Sequence, residues 1–175
     1  MTLERPILLA GLRGSGKSTL GRMLAARIGA DHVDLDDRTA SVLGFDSCAA
    51  ALTTLGEAAF REGEARALAA VLAEPARVVS LGGGAPTAPG AVEQMRRADA
   101  RIVYLRLTPE GLTRRLRASD LSQRPTLTGR GALEEIQTLF EQRDALYRTL
   151  GETIDVGDEP AETTLDRILG ALGVS

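Results

Sequence analysis

The segment Gly11-Leu-Arg-Gly-Ser-Gly-Lys-Ser18 constrains the fold of this chain more than any other stretch. It has the spacing G-x-x-x-x-G-K-[ST], follows the apolar run Ile7 to Ala10, and opens a stretch of helical periodicity from Lys17 to Ile28. A strand, a glycine-rich turn and a helix N-terminus in that order form a cradle for phosphate. Gly11, Gly14 and Gly16 let backbone N–H groups converge on the anion, and the helix end adds a partial positive charge. Gly14, Ser15, Gly16, Lys17, Ser18 and Thr19 are therefore expected to hold the phosphates of ATP, with Lys17 on the β- and γ-oxygens and the Ser18 hydroxyl on Mg²⁺. Lys17 is also the sole lysine among 21 basic residues, all the others being Arg. A compact ammonium has been kept only inside this loop.

Downstream of the loop, short apolar runs alternate with helical stretches. Ile7 to Ala10, His32 to Leu35, Arg77 to Leu81, Arg101 to Leu107 and Thr153 to Val156 read as strands, most too uniformly apolar to be half-exposed. Lys17 to Ile28, Glu57 to Leu72, Thr87 to Arg97, Pro109 to Arg117, Leu133 to Thr149 and Pro160 to Leu172 read as helices. This alternation predicts an α/β chain, a parallel sheet covered on both faces, with its site at the carboxyl ends of the strands. The length of 175 residues suits a single domain spanning 1–175, and no internal repeat or linker divides it. Ser119 to Gly131 is the most loop-like stretch and reads either as a mobile lid, about 118–131, or as a plain surface loop.

Composition removes several function classes. Aromatic residues are 3% and Trp is absent, and the formal net charge is -3, so neither base-stacking platforms nor a broad polyanion surface is expected. One cysteine, Cys48, leaves no intramolecular disulfide and fits a reducing compartment. The apolar run after Pro6 is too short for a signal or membrane segment, so a cytoplasmic location is expected, with no nucleic-acid or membrane partner.

A phosphate loop specifies a nucleotide but not an acceptor. Asp34-Leu-Asp36-Asp37 ends the second strand, and strand alternation puts the side chains of Asp34 and Asp36 on one side, where one could hold Mg²⁺ and the other take a proton from an attacking hydroxyl. A helix-capping cluster is the competing reading, most serious for Asp37.

Together with the phosphate loop, the Asp34-x-Asp36 pair, Gly56-Glu57-x-x-Phe60-Arg61-x-x-Glu64, Gly82-Gly83-Gly84, Arg124-Pro125 and Arg143-x-x-Leu146-Tyr147 resemble the shikimate kinases along nearly the whole chain. The resemblance implies a three-layer α/β/α P-loop fold like that of nucleoside monophosphate kinases, with a central five-stranded parallel sheet and substrate-binding helices at about 36–64. It implies transfer of the ATP γ-phosphate to the 3-hydroxyl of shikimate by a monomeric enzyme. By similarity Asp36 is the base and binds ring hydroxyls, Arg61 and Arg143 hold the substrate carboxylate, and Arg124 closes from the lid onto substrate and phosphate. Gly82, Gly83 and Gly84 let the substrate lie against backbone, Asp34 serves the Mg²⁺ side with Ser18, and Glu64 orients Arg61. Arg117, seven residues before the lid arginine, corresponds to an adenine contact, or else is an exposed helix-end arginine. The lid departs from many relatives at Thr126, and the stretch Phe45 to Thr54 is unusually rich in alanine. The turn Asp155 to Pro160 matches the family's adenine side only in outline.

His32, the only histidine, is expected to be structural rather than a base, and Cys48 to be a small buried hydrophobe. Two rival functions remain at this point: a P-loop kinase of another hydroxy acid such as gluconate, and a kinase-like metabolite sensor without transfer chemistry.

Overall fold

The computed structural model describes residues 3–118 and 132–174. Strands β1 (Ile7–Ala10), β2 (His32–Asp34), β3 (Val78–Ser80), β4 (Arg101–Arg106) and β5 (Glu152–Asp155) form one parallel sheet in the order β2-β3-β1-β4-β5. The helices are α1 (Lys17–Ile28), α2 (Leu35–Leu43), α3 (Cys48–Leu55), α4 (Glu57–Ala73), α5 (Ala91–Arg97), α6 (Pro109–Arg117), α7 (Ala132–Arg148) and α8 (Ala161–Leu172). All strands run the same way because each successive pair is joined by a helical crossover.

The residues of β1 divide between two cores. Ile7 and Leu9 pack with Leu20, Leu24 and Ile28 of α1 and with Leu165, Ile168 and Leu169 of α8. Leu8 and Ala10 pack with Ala65, Leu68 and Val71 of α4 and with Met95 of α5. Apolar side chains on both faces of a central strand are what a three-layer fold requires, and the expected architecture is the one observed. β1 lies between β3 and β4, where the strand order reverses, and the loop leaving its carboxyl end is the phosphate loop. Such switch points open a crevice at the strand ends.

Several boundaries differ from expectation, each for a local reason. Leu35 is the first residue of α2 rather than the last of a strand, because the Asp34 side chain accepts from Asp36 N and caps the helix. The helix expected from Thr87 starts at Ala91, after a 3-10 turn at Ala85–Thr87 and the left-handed Gly90, φ 72°. The 36–64 region holds α2, α3 and the start of α4, separated by Gly44 and Gly56, both at positive φ.

Candidate active site

The phosphate loop takes the conformation its glycines permit. Gly14 (φ 87°) and Gly16 (φ 98°) occupy backbone regions that a Cβ disfavours, and Gly16 caps α1. Lys17 is 8% exposed, and its ammonium donates to the Leu12 carbonyl of its own loop at 3.0 Å. Burial brings its pKa down to about 8, against the opposing pull of Asp36 and Asp34. A lysine desolvated in this way is stabilised in its charged form by an arriving phosphate. The loop is fixed to the sheet beneath α1: Ser80 Oγ donates to the Lys17 carbonyl at 2.9 Å, so its oxygen is left to accept from His32 Nε2, also at 2.9 Å. His32 thus ties β2, β3 and α1 together, and burial lowers its pKa, so it stands as a neutral structural donor.

Asp34 joins this loop to the acceptor side. Its Oδ2 accepts from Ser18 Oγ at 2.6 Å while its Oδ1 accepts from Asp36 N at 3.1 Å. Asp36 is therefore placed by a helix cap, not by strand alternation, since β2 ends at Asp34. The capping expected most of Asp37 belongs to Asp34, and the same carboxylate stands beside the phosphate-loop hydroxyl. Burial raises the Asp36 pKa, Asp34 raises it further, and Lys17 opposes both. A carboxylate raised in this way is a better proton acceptor than an exposed one.

Opposite lies the turn Gly82-Gly83-Gly84, where the groups expected from distant parts of the sequence meet. A Cβ on Gly82 would stand 2.5 Å from Glu64 Oε1 and 2.6 Å from Asp36 Oδ1, and one on Gly84 would strike the Arg61 guanidinium. These glycines make room for the protein's own charged side chains, a different reason from the expected exposure of backbone to substrate. One on Gly83 would lie 3.1 Å from the Arg13 backbone nitrogen, so the turn abuts the phosphate loop. The Gly83 carbonyl accepts from Arg143 Nη1 at 3.0 Å and from the Tyr147 hydroxyl at 2.8 Å. Arg61 Nη1 donates to Glu64 Oε2 at 2.6 Å, the pair expected from their i,i+3 spacing. Glu64 is 1% exposed and burial raises its pKa, although Arg61 pulls it back. Arg143 is 8% exposed; burial lowers its pKa, as does the neighbouring Arg61. Glu64 offsets one of these two nearly buried guanidinium charges, and the partner that Arg143 meets at Gly83 is a neutral carbonyl, which leaves a place for a further negative charge. A small carboxylate beside Arg61 and Arg143 would supply that charge.

A second cleft, of about 220 Å³, runs from Gly16, Thr19 and Leu20 to Val156, Glu159, Ala161 and Thr164. Its arginine is Arg115, whose Nη2 donates to the Gly157 carbonyl at 2.8 Å and whose Nη1 lies 3.4 and 3.3 Å from the carbonyls of Gly14 and Ser15. Arg117 is exposed at the end of α6 and is not among the residues lining this cleft. The two lie about 200° apart around α6, and Arg115 falls one turn after the buried Leu112, on the side of the helix turned inward. Arg124 and nearly all of the lid expected at about 118–131 lie outside the described residues.

Cys48 departs from its expected role. It is half-buried at the start of α3, its Sγ donates to the Asp36 carbonyl at 3.1 Å, and it lines a groove of about 670 Å³ together with Asp36, Asp37 and Ser47. Burial, with Asp36 and Glu64 nearby, pushes the thiol up to about 12, so it is not a ready nucleophile.

With this geometry in hand, comparison with known proteins identifies relatives. Residues 13–172 match the family model for shikimate kinase. The chain is 40% identical to shikimate kinase 2 of Dickeya chrysanthemi over 91% of each chain. It is 37% identical to the shikimate kinase of Paramagnetospirillum magneticum, over 97% of this chain and 85% of the relative. The structure of the Acinetobacter baumannii shikimate kinase in complex with shikimate superposes with a TM-score of 0.86 at 28% identity, covering 96% of this chain and 92% of that one.

Proposed function

The chain belongs to the shikimate kinase family, and from that premise we propose that it transfers the γ-phosphate of ATP to the 3-hydroxyl of shikimate. The observation that carries this reading is the meeting of Asp36, Arg61 and Arg143 at the Gly82–Gly84 turn, directly against the phosphate loop. Shikimate carries hydroxyls and one carboxylate, which need an acceptor and a guanidinium clamp respectively, and the turn brings both together.

In this reading the backbone of Gly14, Ser15, Gly16 and Thr19 cradles the phosphates while Lys17 leaves the Leu12 carbonyl for the β- and γ-oxygens. Arg61 and Arg143 grip the substrate carboxylate, Gly82–Gly84 bound its ring, and Asp36 takes the proton from the hydroxyl that attacks the γ-phosphorus. The bond to the ADP oxygen breaks as the new ester bond forms, and Lys17 and Arg124 bear the charge that spreads over the transferring group. Arg115 lies where a nucleotide base would pass between the phosphate loop and Val156, with Arg117 farther out along α6.

Ser18 and Asp34 present a hydroxyl and a carboxylate oxygen side by side, a hard-oxygen set that suits Mg²⁺. Among the described residues no cluster of three or more His, Cys, Asp or Glu side chains could hold a metal alone. That sparse set fits an ion bound largely by phosphates and water. When bound, it would neutralise charge on the β- and γ-phosphates. We further read the chain as one catalytic domain over 1–175, with a lid at about 118–131, acting as a cytoplasmic monomer. The lone cysteine supports a reducing compartment.

The test is ADP release from Mg²⁺-ATP by the purified protein with and without shikimate, with gluconate and quinate as controls. Stimulation confined to shikimate is expected. Stimulation by gluconate instead would move the chain to another acceptor, and none by any of the three would leave a nucleotide site without this activity.

A further inference from the structure

Arg143 and Tyr147 reach the Gly83 carbonyl from α7, and α7 is itself fastened to the sheet by the residue next to Arg143. Asp144 Oδ1 accepts from the Tyr104 hydroxyl at 2.9 Å and from Arg106 Nε at 2.8 Å, while Oδ2 accepts from Arg148 Nε at 2.9 Å. Tyr104 and Arg106 belong to β4, and Tyr104 stands in register with Ala10, the last residue of β1 before the phosphate loop. The Tyr104 ring also meets the Tyr147 ring edge-on, 5.4 Å between centroids at 86°. The Arg106 guanidinium lies 5.0 Å from the centre of the Phe140 ring one turn back along α7. The same strand thus grips α7 on either side of Arg143.

Adhesion does not require this arrangement. Ile136, Leu139 and Phe140 already pack α7 on the apolar core. A largely buried carboxylate with three polar donors adds little net stability over an apolar contact of the same size. It adds direction: apolar side chains tolerate sliding and rotation of a helix, whereas two donors from β4 on one carboxylate oxygen fix its register, and Arg148, one turn along α7, holds the other oxygen and with it the orientation of the carboxylate. Burial alone would raise the Asp144 pKa, but the bonds from Arg106, Tyr104 and Arg148 outweigh it and hold the group below its ordinary value, charged throughout the working range.

We propose that Asp144 is a positioning residue for the acceptor site: through Tyr104 and Arg106 it sets the register of α7 against β4, and so the placement of the Arg143 guanidinium at Gly83. This rests on the reading above that Arg143 grips the substrate carboxylate. A two-point guanidinium–carboxylate contact needs placement within roughly 0.5 Å, so slack in the helix should appear as lost carboxylate affinity while the nucleotide site is spared.

The experiment compares wild type, Asp144→Asn, Arg143→Ala and the double variant on shikimate and on its methyl ester, with thermal midpoints recorded alongside. Asp144→Asn is expected to raise the shikimate KM by about 10-fold, leaving the ATP KM within about 2-fold, since a displacement of this size costs between one and two orders of magnitude at a contact. Its effect should vanish for the ester and in the Arg143→Ala background. Tyr104→Phe, which removes one donor only, is expected to shift the shikimate KM the same way by about 3-fold, and decides the matter if Asp144→Asn does not fold. An unshifted shikimate KM, an equal rise in both KM values, or an effect that persists without Arg143 would overturn the proposal and leave Asp144 a fold anchor. Absence of shikimate turnover in the wild type would instead bring down the functional reading, and the positioning role with it.

Discussion

The phosphate loop and the Gly82–Gly84 turn touch at Gly83 and Arg13 but are built in opposite ways. The loop is one contiguous stretch that carries its own phosphate-binding groups: Ser15 N donates to the Leu12 carbonyl at 3.1 Å, and the Lys17 ammonium to the same oxygen, while Ser80, Arg115 and Asp34 anchor it from outside. The turn is closed by its own backbone, with Ala85 N donating to the Gly82 carbonyl at 3.0 Å and Thr87 N to the Gly84 carbonyl at 2.9 Å, but its three glycines carry no functional side chain. Its partners arrive from α2, α4 and α7, and each depends on a further contact: Asp36 on the Asp34 cap, Arg61 on Glu64, and the Gly83 carbonyl on Tyr147 as well as Arg143. Burial penalises charge at both, lowering Lys17 in the loop and Arg143 at the turn and raising Asp36 and Glu64. A site whose functional groups are adjacent in the chain keeps them together even when one anchor is lost, whereas an assembled one brings each group in on a separate element and can be loosened from several distant places.

The largest effect should come from the loop itself. Lys17→Ala removes the one ammonium at the phosphates and should cut kcat by at least ~100-fold, the size of a lost charge-stabilising group, while the shikimate Kd measured by calorimetry changes little. Near-wild-type turnover would refute the role given to Lys17. A large loss of shikimate affinity would break the comparison, because the two sites would not be separable. Arg61→Ala tests the other side and should raise the shikimate KM by roughly 30-fold through loss of charged hydrogen bonds, with the ATP KM unaltered. Equal loss of both would mean that the removal of Arg61 had disturbed α4 as a whole.

The same contrast explains which features are legible in the amino-acid sequence. Gly11 to Ser18 is legible because its function needs adjacent residues, and the alternation of apolar runs is legible because a buried parallel strand has few other ways to look. Helix periodicity puts Arg115 on the Leu112 side of α6 and Arg117 about 200° away from it, a signal that counting back from the lid-region arginine passes over in favour of Arg117. Arg61 and Arg143 stand out only through resemblance to a family, since Arg61 lies against Gly84, 23 residues on in the chain, and Arg143 meets Gly83, 60 residues back. The capping by Asp34 is easily misplaced because a cap and a strand end look alike when the residue before a helix is an aspartate. Asp144 carries no signal at all: an acidic residue between Arg143 and Arg148 on a charged helix reads as solvated surface until Tyr104 and Arg106 are seen to meet it.

Gly82→Ala probes the assembled site without removing any functional group. The added methyl would meet the ends of the Asp36 and Glu64 side chains, which can rotate away, rather than rigid backbone. The fold should therefore survive, with a change in thermal midpoint of only a few degrees, while kcat/KM for shikimate falls by about 10-fold as both carboxylates leave their places. An unchanged kcat/KM would show that Asp36 and Glu64 need not stand where they do. A collapse of stability would show the turn to be as self-contained as the loop.

The smallest effect concerns the cost of burying Glu64. Its pKa in the folded protein is raised above the ordinary value of 4.5, chiefly by burial, so between the two values the folded state binds more protons than the unfolded state. Stability contributed by this group is then present at low pH and is lost as pH rises through that window. Glu64→Gln has no such titration. The difference in unfolding free energy, wild type minus variant, should fall as pH is raised from about 4 and level off once Glu64 is ionised in both states, a slope readable from urea melts at successive pH values. A difference that rises with pH would mean that the 2.6 Å pair with Arg61 outweighs desolvation. The acceptor site would then hold its carboxylate as favourably as an exposed ion pair does, and the sign contrast with the buried lysine of the phosphate loop would not hold.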